Sequence, residues 1–273
     1  MEKAPHVVEA HPPREIARMV EHLGVAKAQT GTVTLVVLAV LAGAFISLGA
    51  LFFTVVVTDA RLGFGVTRLL GGLSFCLGLV LVVVAGAELF TGNNLVAMAW
   101  ASRLISTRDL MRNWLLTYLG NVIGCLGTVL FVAWADIASL GGGAVGETAL
   151  QIARGKAGLS LGEAFARGVL CNALVCLAVW LAMGGRSVSD KILAILFPIT
   201  AFVAIGLEHS IANWFFLPFG LALDKQGALS VVGVARNLAA VSAGNVVGGT
   251  LLVGGVYWLA YLRGERKRDG QSS

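Results

Sequence analysis

Six long apolar stretches dominate this chain and restrict it to one class of protein. Of its 273 residues, 57% are hydrophobic and only 13% are charged, and the mean hydropathy is +0.85. A soluble domain of this length cannot bury so much apolar surface. Each stretch is also long enough for a helix that crosses a bilayer, which needs about 20 apolar residues. The sequence therefore predicts an all-α integral membrane protein with six transmembrane helices.

Polar residues interrupt two of the six predicted spans. The spans cover residues 32–57, 68–101, 110–137, 161–183, 191–219 and 234–262. The second is broken at Glu88 to Asn93 and the fifth at Glu208 to Asn213. Proline in the fifth span is acceptable in a membrane helix when neighbouring groups satisfy the freed backbone.

An even number of spans places both termini on the same side of the membrane. By this topology, thirteen of the 20 Lys and Arg residues lie on that side. Positively charged loops stay in the cytoplasm, so both termini are predicted to be cytoplasmic, in the inner (plasma) membrane. The chain then divides into a cytoplasmic segment 1–31, a six-span transport domain 32–263 and a basic cytoplasmic tail 264–273.

The segment before the first span predicts a short amphipathic helix that opens at Pro13. Apolar residues recur at helical spacing between Pro12 and Lys27, and charged residues occupy the rest of the surface. Such a helix lies on the membrane surface or against the helical bundle. Residues 1–31 lack the apolar core of a signal peptide, so the segment is expected to remain in the mature protein.

The charge and cysteine patterns exclude other classes of function. The formal charge of +5 owes much to basic residues at the chain ends, where they meet anionic lipid headgroups, so nucleic-acid binding is not expected. All four cysteines lie inside apolar stretches without His or Asp at ligand spacing. They are predicted to be small packing residues, with no metal site, disulfide or cofactor.

The two interruptions are related to each other. Residues 86–93 are Gly-Ala-Glu-Leu-Phe-Thr-Gly-Asn, and residues 206–213 are Gly-Leu-Glu-His-Ser-Ile-Ala-Asn. A Gly, a Glu and an Asn therefore recur at an interval of 120 residues. A carboxylate and an imidazole between membrane-spanning segments are costly to desolvate, and they usually mark the path of a solute or a proton.

A second repeated pattern extends the relation to whole three-helix units. Arg-Asn followed by Gly-Asn-Val occurs in residues 112–122 and again, 124 positions later, in residues 236–246. Residues 32–137 are therefore predicted to repeat as residues 160–263. Because each unit crosses the membrane an odd number of times, the repeats are expected to be inverted, with the two broken helices meeting near the midplane.

A broken helix exposes backbone N–H groups where its second half begins, and two such ends facing each other favour a small anion. Glu88 and Glu208 are expected to anchor the breaks by accepting backbone N–H donors. Asn93 and Asn213 are expected to pin or cap the same loops.

His209 is the candidate for a functional rather than a structural role. Its counterpart in the first break is Leu89, and its imidazole can exchange a proton near neutral pH. Thr91 offers a hydroxyl group from the opposite break. Phe75 and Leu79 share one helix face, and Phe202 precedes His209 by two turns, a pattern that ordinary core residues also produce.

Four of these motifs resemble the signatures of the formate/nitrite transporter family, and the formate channels most. They are GAELFTGN at 86–93, CNALVCLAVW at 171–180, EHSIAN at 208–213 and GNVVGG at 244–249. The similarity covers residues 13–263. It implies an aquaporin-like fold, a homopentamer with one pore in each subunit, and the passage of small monovalent anions such as formate or nitrite.

The resemblance also implies roles for single residues. His209 would be the central proton donor or hydrogen-bonding partner, with Thr91 on the facing loop and Asn172 as a polar group between two apolar constrictions. Lys156, which sequence alone describes as an exposed loop lysine, would draw anions into the vestibule. The constrictions would be formed by Phe75, Leu79, Leu89, Phe90, Val175 and Phe202.

These features favour one transport hypothesis over its competitors. A bare anion loses its hydration in an apolar constriction at high cost, so we expect it to take up a proton near His209 and to cross as a neutral acid or with a coupled proton. Formate is the favoured substrate, ahead of nitrite and then hydrosulfide or lactate. An enzyme that uses Glu208 and His209 as an acid/base pair lacks any further catalytic group, and a water or glycerol channel would show no dependence on proton concentration.

Overall fold

The computed structural model describes residues 10–264, and that part of the chain is helical without any strand. Lys3 and the basic cluster of the predicted tail, at 266–268, lie outside the described residues. The α-helices are α1 (Pro13–Gln29), α2 (Thr32–Val57), α3 (Phe64–Val80), α4 (Phe90–Asn93), α5 (Ala97–Ala101), α6 (Thr107–Trp134), α7 (Ala144–Ala157), α8 (Leu161–Gly184), α9 (Val188–Ile205), α10 (Ser210–Leu223) and α11 (Val231–Val247).

Shorter helical segments extend or join these elements. The π-helical segment Leu81–Gly86 continues α3, and the π-helical segments Gly248–Gly255 and Trp258–Leu262 continue the line of α11. A 3₁₀-helix, Asn94–Val96, joins α4 to α5, and a second one, Ile137–Gly143, precedes α7.

The six predicted membrane spans are confirmed in the described part of the chain. They are Thr32–Val57, Phe64–Gly86, Thr107–Trp134, Leu161–Gly184, Val188–Ile205 and Val231–Leu262. The second, third, fifth and sixth begin three or four residues earlier than predicted, and polar residues occupy the added turns of the third and the fifth.

Capping boxes explain some of these early starts. Ser106 accepts a hydrogen bond from the backbone N–H of Asp109, whose carboxylate accepts one from the backbone N–H of Ser106. α8 and α9 begin in the same way, with Ser160 paired to Glu163 and Ser187 paired to Asp190. Such a box satisfies two free N–H groups at the helix N-terminus, so the helix begins outside the apolar stretch.

Besides α4, α5 and α10, which follow the two breaks, the described residues form two α-helices outside the six spans. The amphipathic helix α1 packs on the bundle, where it contacts α5, α6 and α8, and buries Ile16, Ala17 and Val20. α7 forms where the sequence predicts a loop, and it contacts α10 and α11. Three consecutive glycines, 141–143, adopt left-handed conformations just before it.

The third helix of each half crosses the first helix of that half in backbone contact. A Cβ atom on Gly124 of α6 would lie 2.0 Å from the carbonyl oxygen of Val40 in α2. A Cβ atom on Gly248 would lie 2.1 Å from the carbonyl oxygen of Val169 in α8. Only glycine allows this approach, and it brings the polar residues of α6 and α11 next to the breaks.

Candidate anion pathway

Both broken helices are interrupted by three non-helical residues, 87–89 in the first half and 207–209 in the second. Each break follows a glycine in the left-handed region, Gly86 with φ of 87° and Gly206 with φ of 85°. This conformation costs most other residues energy. The breaks are shorter than the six residues predicted, because α4 and α10 resume at Phe90 and Ser210 and take Asn93 and Asn213 into their first turns.

An asparagine from the third helix of each half holds the break open. The side chain of Asn121 accepts from Phe90 N at 2.9 Å and donates to Ala39 O at 2.7 Å and Glu88 O at 2.9 Å. Asn245 accepts from Ser210 N at 2.9 Å, and it donates to the carbonyl oxygens of Gly168 at 2.8 Å and Glu208 at 3.0 Å. Both amides are fully buried, so each satisfies backbone groups that the break leaves without helical partners.

The first carboxylate, Glu88, is held by side chains. Lys27 Nζ of α1 donates to Glu88 Oε1 at 2.7 Å and to Asn93 Oδ1 at 3.0 Å. Asn93 Nδ2 donates to Glu88 Oε2 at 2.7 Å, and Asn113 Nδ2 donates to the backbone oxygen of Lys27 at 3.1 Å. The expectation that backbone N–H groups would hold Glu88 was therefore wrong within the described residues.

Glu208 has equivalent partners in the second half. Lys156 Nζ of α7 donates to Glu208 Oε1 at 3.0 Å, and Asn213 Nδ2 donates to Glu208 Oε2 at 2.7 Å. Asn237 Nδ2 donates to the backbone oxygen of Lys156 at 2.9 Å. Here too the described donors to the carboxylate are side chains, which corrects the same expectation.

Lys156 also differs from its description as an exposed lysine in a loop. It lies near the C-terminal end of α7, and its side chain is only 16% exposed because of the ion pair with Glu208. Lys27, Asn113 and Asn237 are site residues that were not predicted from the sequence. The Arg-Asn pattern that repeats at an interval of 124 residues is the sequence signal for the two asparagines. The only sequence signal for Lys27 is its place in the amphipathic helix.

His209 and Thr91 meet where the two breaks face each other. His209 Nε2 lies 3.0 Å from Thr91 Oγ1, and His209 Nδ1 accepts from the backbone N–H of Ala212 at 3.0 Å. The imidazole is 2% exposed and caps the N-terminus of α10. Because Nδ1 is an acceptor, a neutral ring carries its hydrogen on Nε2 and donates it to Thr91.

Asn172 is fully buried beside this pair but does not contact the imidazole through a described hydrogen bond. Its Nδ2 lies 3.2 Å from Thr91 O, 2.7 Å from Asn94 Oδ1 and 2.7 Å from Asn245 O. The amide hydrogens thus face protein acceptors, and Asn172 fixes the position of Thr91.

Two cavities approach the His209–Thr91 pair from opposite ends. The first, here the α1 vestibule, has a volume of about 340 Å³ and is lined by Lys27, Leu79, Glu88 and Leu89 among others. The second, the α7 vestibule, has a volume of about 400 Å³. Its lining includes Phe75, Lys156, Phe202, Glu208 and His209.

Apolar side chains separate the two vestibules. The rings of Phe75 and Phe202 meet edge to face, with centroids 5.5 Å apart, and Phe202 stacks on the imidazole of His209 at 6.0 Å. Phe90 instead packs edge to face on Tyr118, at 4.9 Å. The residues predicted to form constrictions all belong to one buried apolar cluster: Phe75, Leu79, Leu89, Phe90, Val175 and Phe202.

The fold and this site define a multi-pass membrane protein in which two broken helices meet at a buried histidine between two vestibules that each contain a lysine and a glutamate. Residues 14–259 match the family model described as formate/nitrite transporter. The chain belongs to the formate/nitrite transporter family.

Among the described residues, no group of three or more His, Cys, Asp or Glu side chains is placed to hold a metal ion.

Individual relatives agree with this assignment. The chain is 38% identical over 269 residues to the formate channel FocA of Escherichia coli (strain K12), covering 92% of this chain and 94% of the relative. It is 40% identical over 258 residues to the uncharacterized transporter YrhG of Bacillus subtilis (strain 168), covering 94% and 96%.

Two solved structures share the fold. One is described as a pentameric formate channel with formate bound, with a TM-score of 0.80 and 39% identity, over 85% of this chain and 98% of that one. The other, described as an FNT family ion channel, has a TM-score of 0.84 and 28% identity, over 90% and 98%.

Proposed function

We propose that this chain forms a channel for small monovalent anions, with formate as the main substrate and a proton that accompanies it past His209. One observation carries the proposal: the His209–Thr91 pair, at 3.0 Å, lies between two vestibules that each contain a lysine. The relatives described as formate channels support the choice of formate.

The vestibules would concentrate the anion. Lys27 and Lys156 each share a carboxylate with asparagine side chains, and the ion pairs hold the ammonium groups in place. An anion that reaches either lysine finds a fixed positive group near the positive end of a half-helix. Both features lower the cost of removing part of its water.

The apolar segment between the vestibules would oppose the bare anion. Phe75 and Phe202 on one side and Leu79 and Leu89 on the other offer no hydrogen bonds in place of hydration. Transfer of an ionised carboxylate into such a region is far more costly than transfer of the neutral acid. The proposed channel therefore passes formic acid, or formate with its proton close by.

The geometry of His209 limits how the proton is supplied. A second proton on the ring would have to enter at Nδ1, which accepts the Ala212 N–H. Protonation would break this cap and leave a charge at the positive end of α10, so we propose that the ring stays neutral. His209 then orients the substrate through its Nε2–H and the Thr91 hydroxyl, and the proton arrives through the vestibules from solvent.

The membrane arrangement follows from the same proposal. The two halves would be inverted repeats, since each break is held by an equivalent asparagine and lysine and each half has an odd number of spans. The α1 vestibule opens to the cytoplasm, with both termini on that side, in the inner membrane. Five subunits assemble around an axis, each with its own pathway, as the pentameric relative suggests.

Nitrite is the second candidate substrate, because it is a small monovalent anion that also becomes neutral on protonation, and hydrosulfide follows it. Uptake of formate and of nitrite into proteoliposomes, measured between acidic and neutral pH, tests the proposal. We expect formate uptake that exceeds nitrite uptake and rises as the pH falls. Uptake equal to that of protein-free liposomes at every pH would contradict it.

A further inference from the structure

Two arginines converge on the glycine that ends α9. Arg68 of α3 donates from Nε to Ala204 O at 2.9 Å and from Nη2 to Val203 O. The same Nη2 lies 3.2 Å from the position that a Cβ atom on Gly206 would take. Arg167 of α8 donates from Nη1 to the carbonyl oxygen of Gly206 at 3.5 Å. Both guanidinium groups therefore border one residue at the edge of the second break.

This pair of positive charges has no described counter-ion. Among the ion pairs of residues 10–264, none joins a carboxylate to Arg68 or to Arg167. Both arginines line the α7 vestibule together with Glu208, and that carboxylate is engaged by Lys156 and Asn213. The α9 carbonyl groups that the arginines contact carry only the partial charge of a helix C-terminus, so the α7 vestibule keeps an excess of positive charge.

The first half of the molecule lacks this feature. The backbone N–H of Glu208 donates to Arg167 O at 3.4 Å, and the backbone N–H of Glu88 donates to Leu38 O at 3.2 Å. By these equivalent hydrogen bonds, Leu38 is the counterpart of Arg167 in the first half. Nothing lies within 4 Å of a Cβ atom placed on Gly86, where Gly206 has Arg68. Lys191 is the cation of the α1 vestibule without a described ion pair.

We propose that Arg68 and Arg167 form an oxyanion-binding station at the mouth of the α7 vestibule, which captures the substrate before it reaches Lys156 and His209. Arg68 Nη1 and Arg167 Nη2 have no described protein acceptor and are available to a ligand. Two planar guanidinium groups suit the two oxygens of a small carboxylate or of nitrite better than a spherical halide. The station makes capture stronger from the α7 face than from the α1 face.

This inference rests on the proposed function, because its main readout is formate flux. Initial formate uptake is measured at rising concentrations in proteoliposomes of defined orientation, with substrate applied to the α7 face or the α1 face. For the double variant R68Q/R167Q, we expect the half-saturating concentration to rise about three-fold to ten-fold from the α7 face. From the α1 face it should change by less than about two-fold.

Matched variants separate charge from structure. K191Q should weaken capture only from the α1 face. R68K, which keeps the charge but loses the planar fork, should raise the half-saturating concentration from the α7 face by less than R68Q does. The unmodified protein also provides a test without mutation: sodium sulfate on the α7 face should raise the half-saturating concentration more than sulfate on the α1 face. Equal sulfate effects on both faces, or an R68Q/R167Q variant with unchanged half-saturation, would overturn the station. Absence of formate uptake by the unmodified protein would instead overturn the proposed function.

Discussion

Replacing Asn245 by leucine should destabilise the protein strongly although the two side chains are similar in size. The buried amide makes three hydrogen bonds, one from Ser210 N and two to the carbonyl oxygens of Gly168 and Glu208. Leucine leaves all three backbone groups without this partner in a site of 0% exposure. Each buried unsatisfied group costs about 1–3 kcal/mol, and partial relaxation reduces the sum, so we expect a loss of about 4 kcal/mol.

Thermal unfolding of the detergent-solubilised protein, followed by tryptophan fluorescence, measures this loss. A change of about 4 kcal/mol corresponds to a fall in Tm of roughly 10 °C for a chain of this size. Asn121→Leu is the matched control, because Asn121 makes the equivalent three bonds in the first half and should lower Tm by a similar amount. A Tm for Asn245→Leu within about 2 °C of the unmodified protein would refute the assigned role of the asparagine.

Three further predictions concern the pathway and the packing beside it. Thr91→Val keeps the shape of the side chain but removes the hydroxyl partner of His209 Nε2, so formate flux should fall about ten-fold. Thr91→Ser keeps the hydroxyl group and should retain the flux. Equal flux in the two variants would contradict this role of Thr91. Lys156→Met should reduce flux from the α7 face and raise its half-saturating concentration, measured by uptake, whereas unchanged values on that face would count against the lysine. Gly248→Ala places a methyl group 2.1 Å from Val169 O and should destabilise the protein by about 1–3 kcal/mol. An unshifted melting curve would show that Gly248 and α8 are not in backbone contact.

The apolar pattern was sufficient to predict the six spans because a membrane helix is defined by its own composition. The two breaks were also predictable, since Gly86 and Gly206 recur at one interval and a left-handed residue must end the helix there. The lengths of the breaks could not be predicted from the sequence. Whether Asn93 and Asn213 lie in the break or in the next helical turn depends on where the helix resumes. Asn121 and Asn245 set that point from a distant helix, since they bind the backbone N–H groups of Phe90 and Ser210.

Partners brought together by tertiary contacts were harder to predict. Lys27 and Glu88 are 61 residues apart in sequence and lie on different helices, so no local pattern connects them. α7 was not predicted, because its sequence is not apolar enough for a membrane span. Its N-terminus also lacks a side-chain cap, since three glycines in left-handed conformations precede it. Asn172 was expected to be a polar group between the two constrictions, but its hydrogen-bond partners, which include Thr91 O, become visible only once the two halves meet.

Simultaneous measurement of formate and proton entry tests most directly whether the anion passes His209 together with a proton. Proteoliposomes that contain a pH-sensitive dye receive an inward formate gradient, and protein-free liposomes correct for formic acid that crosses the lipid. We predict internal acidification that matches formate uptake in the unmodified protein, with both signals reduced together in His209→Phe. Formate uptake without acidification, or equal uptake and pH dependence in His209→Phe, would contradict proton-linked passage past this histidine.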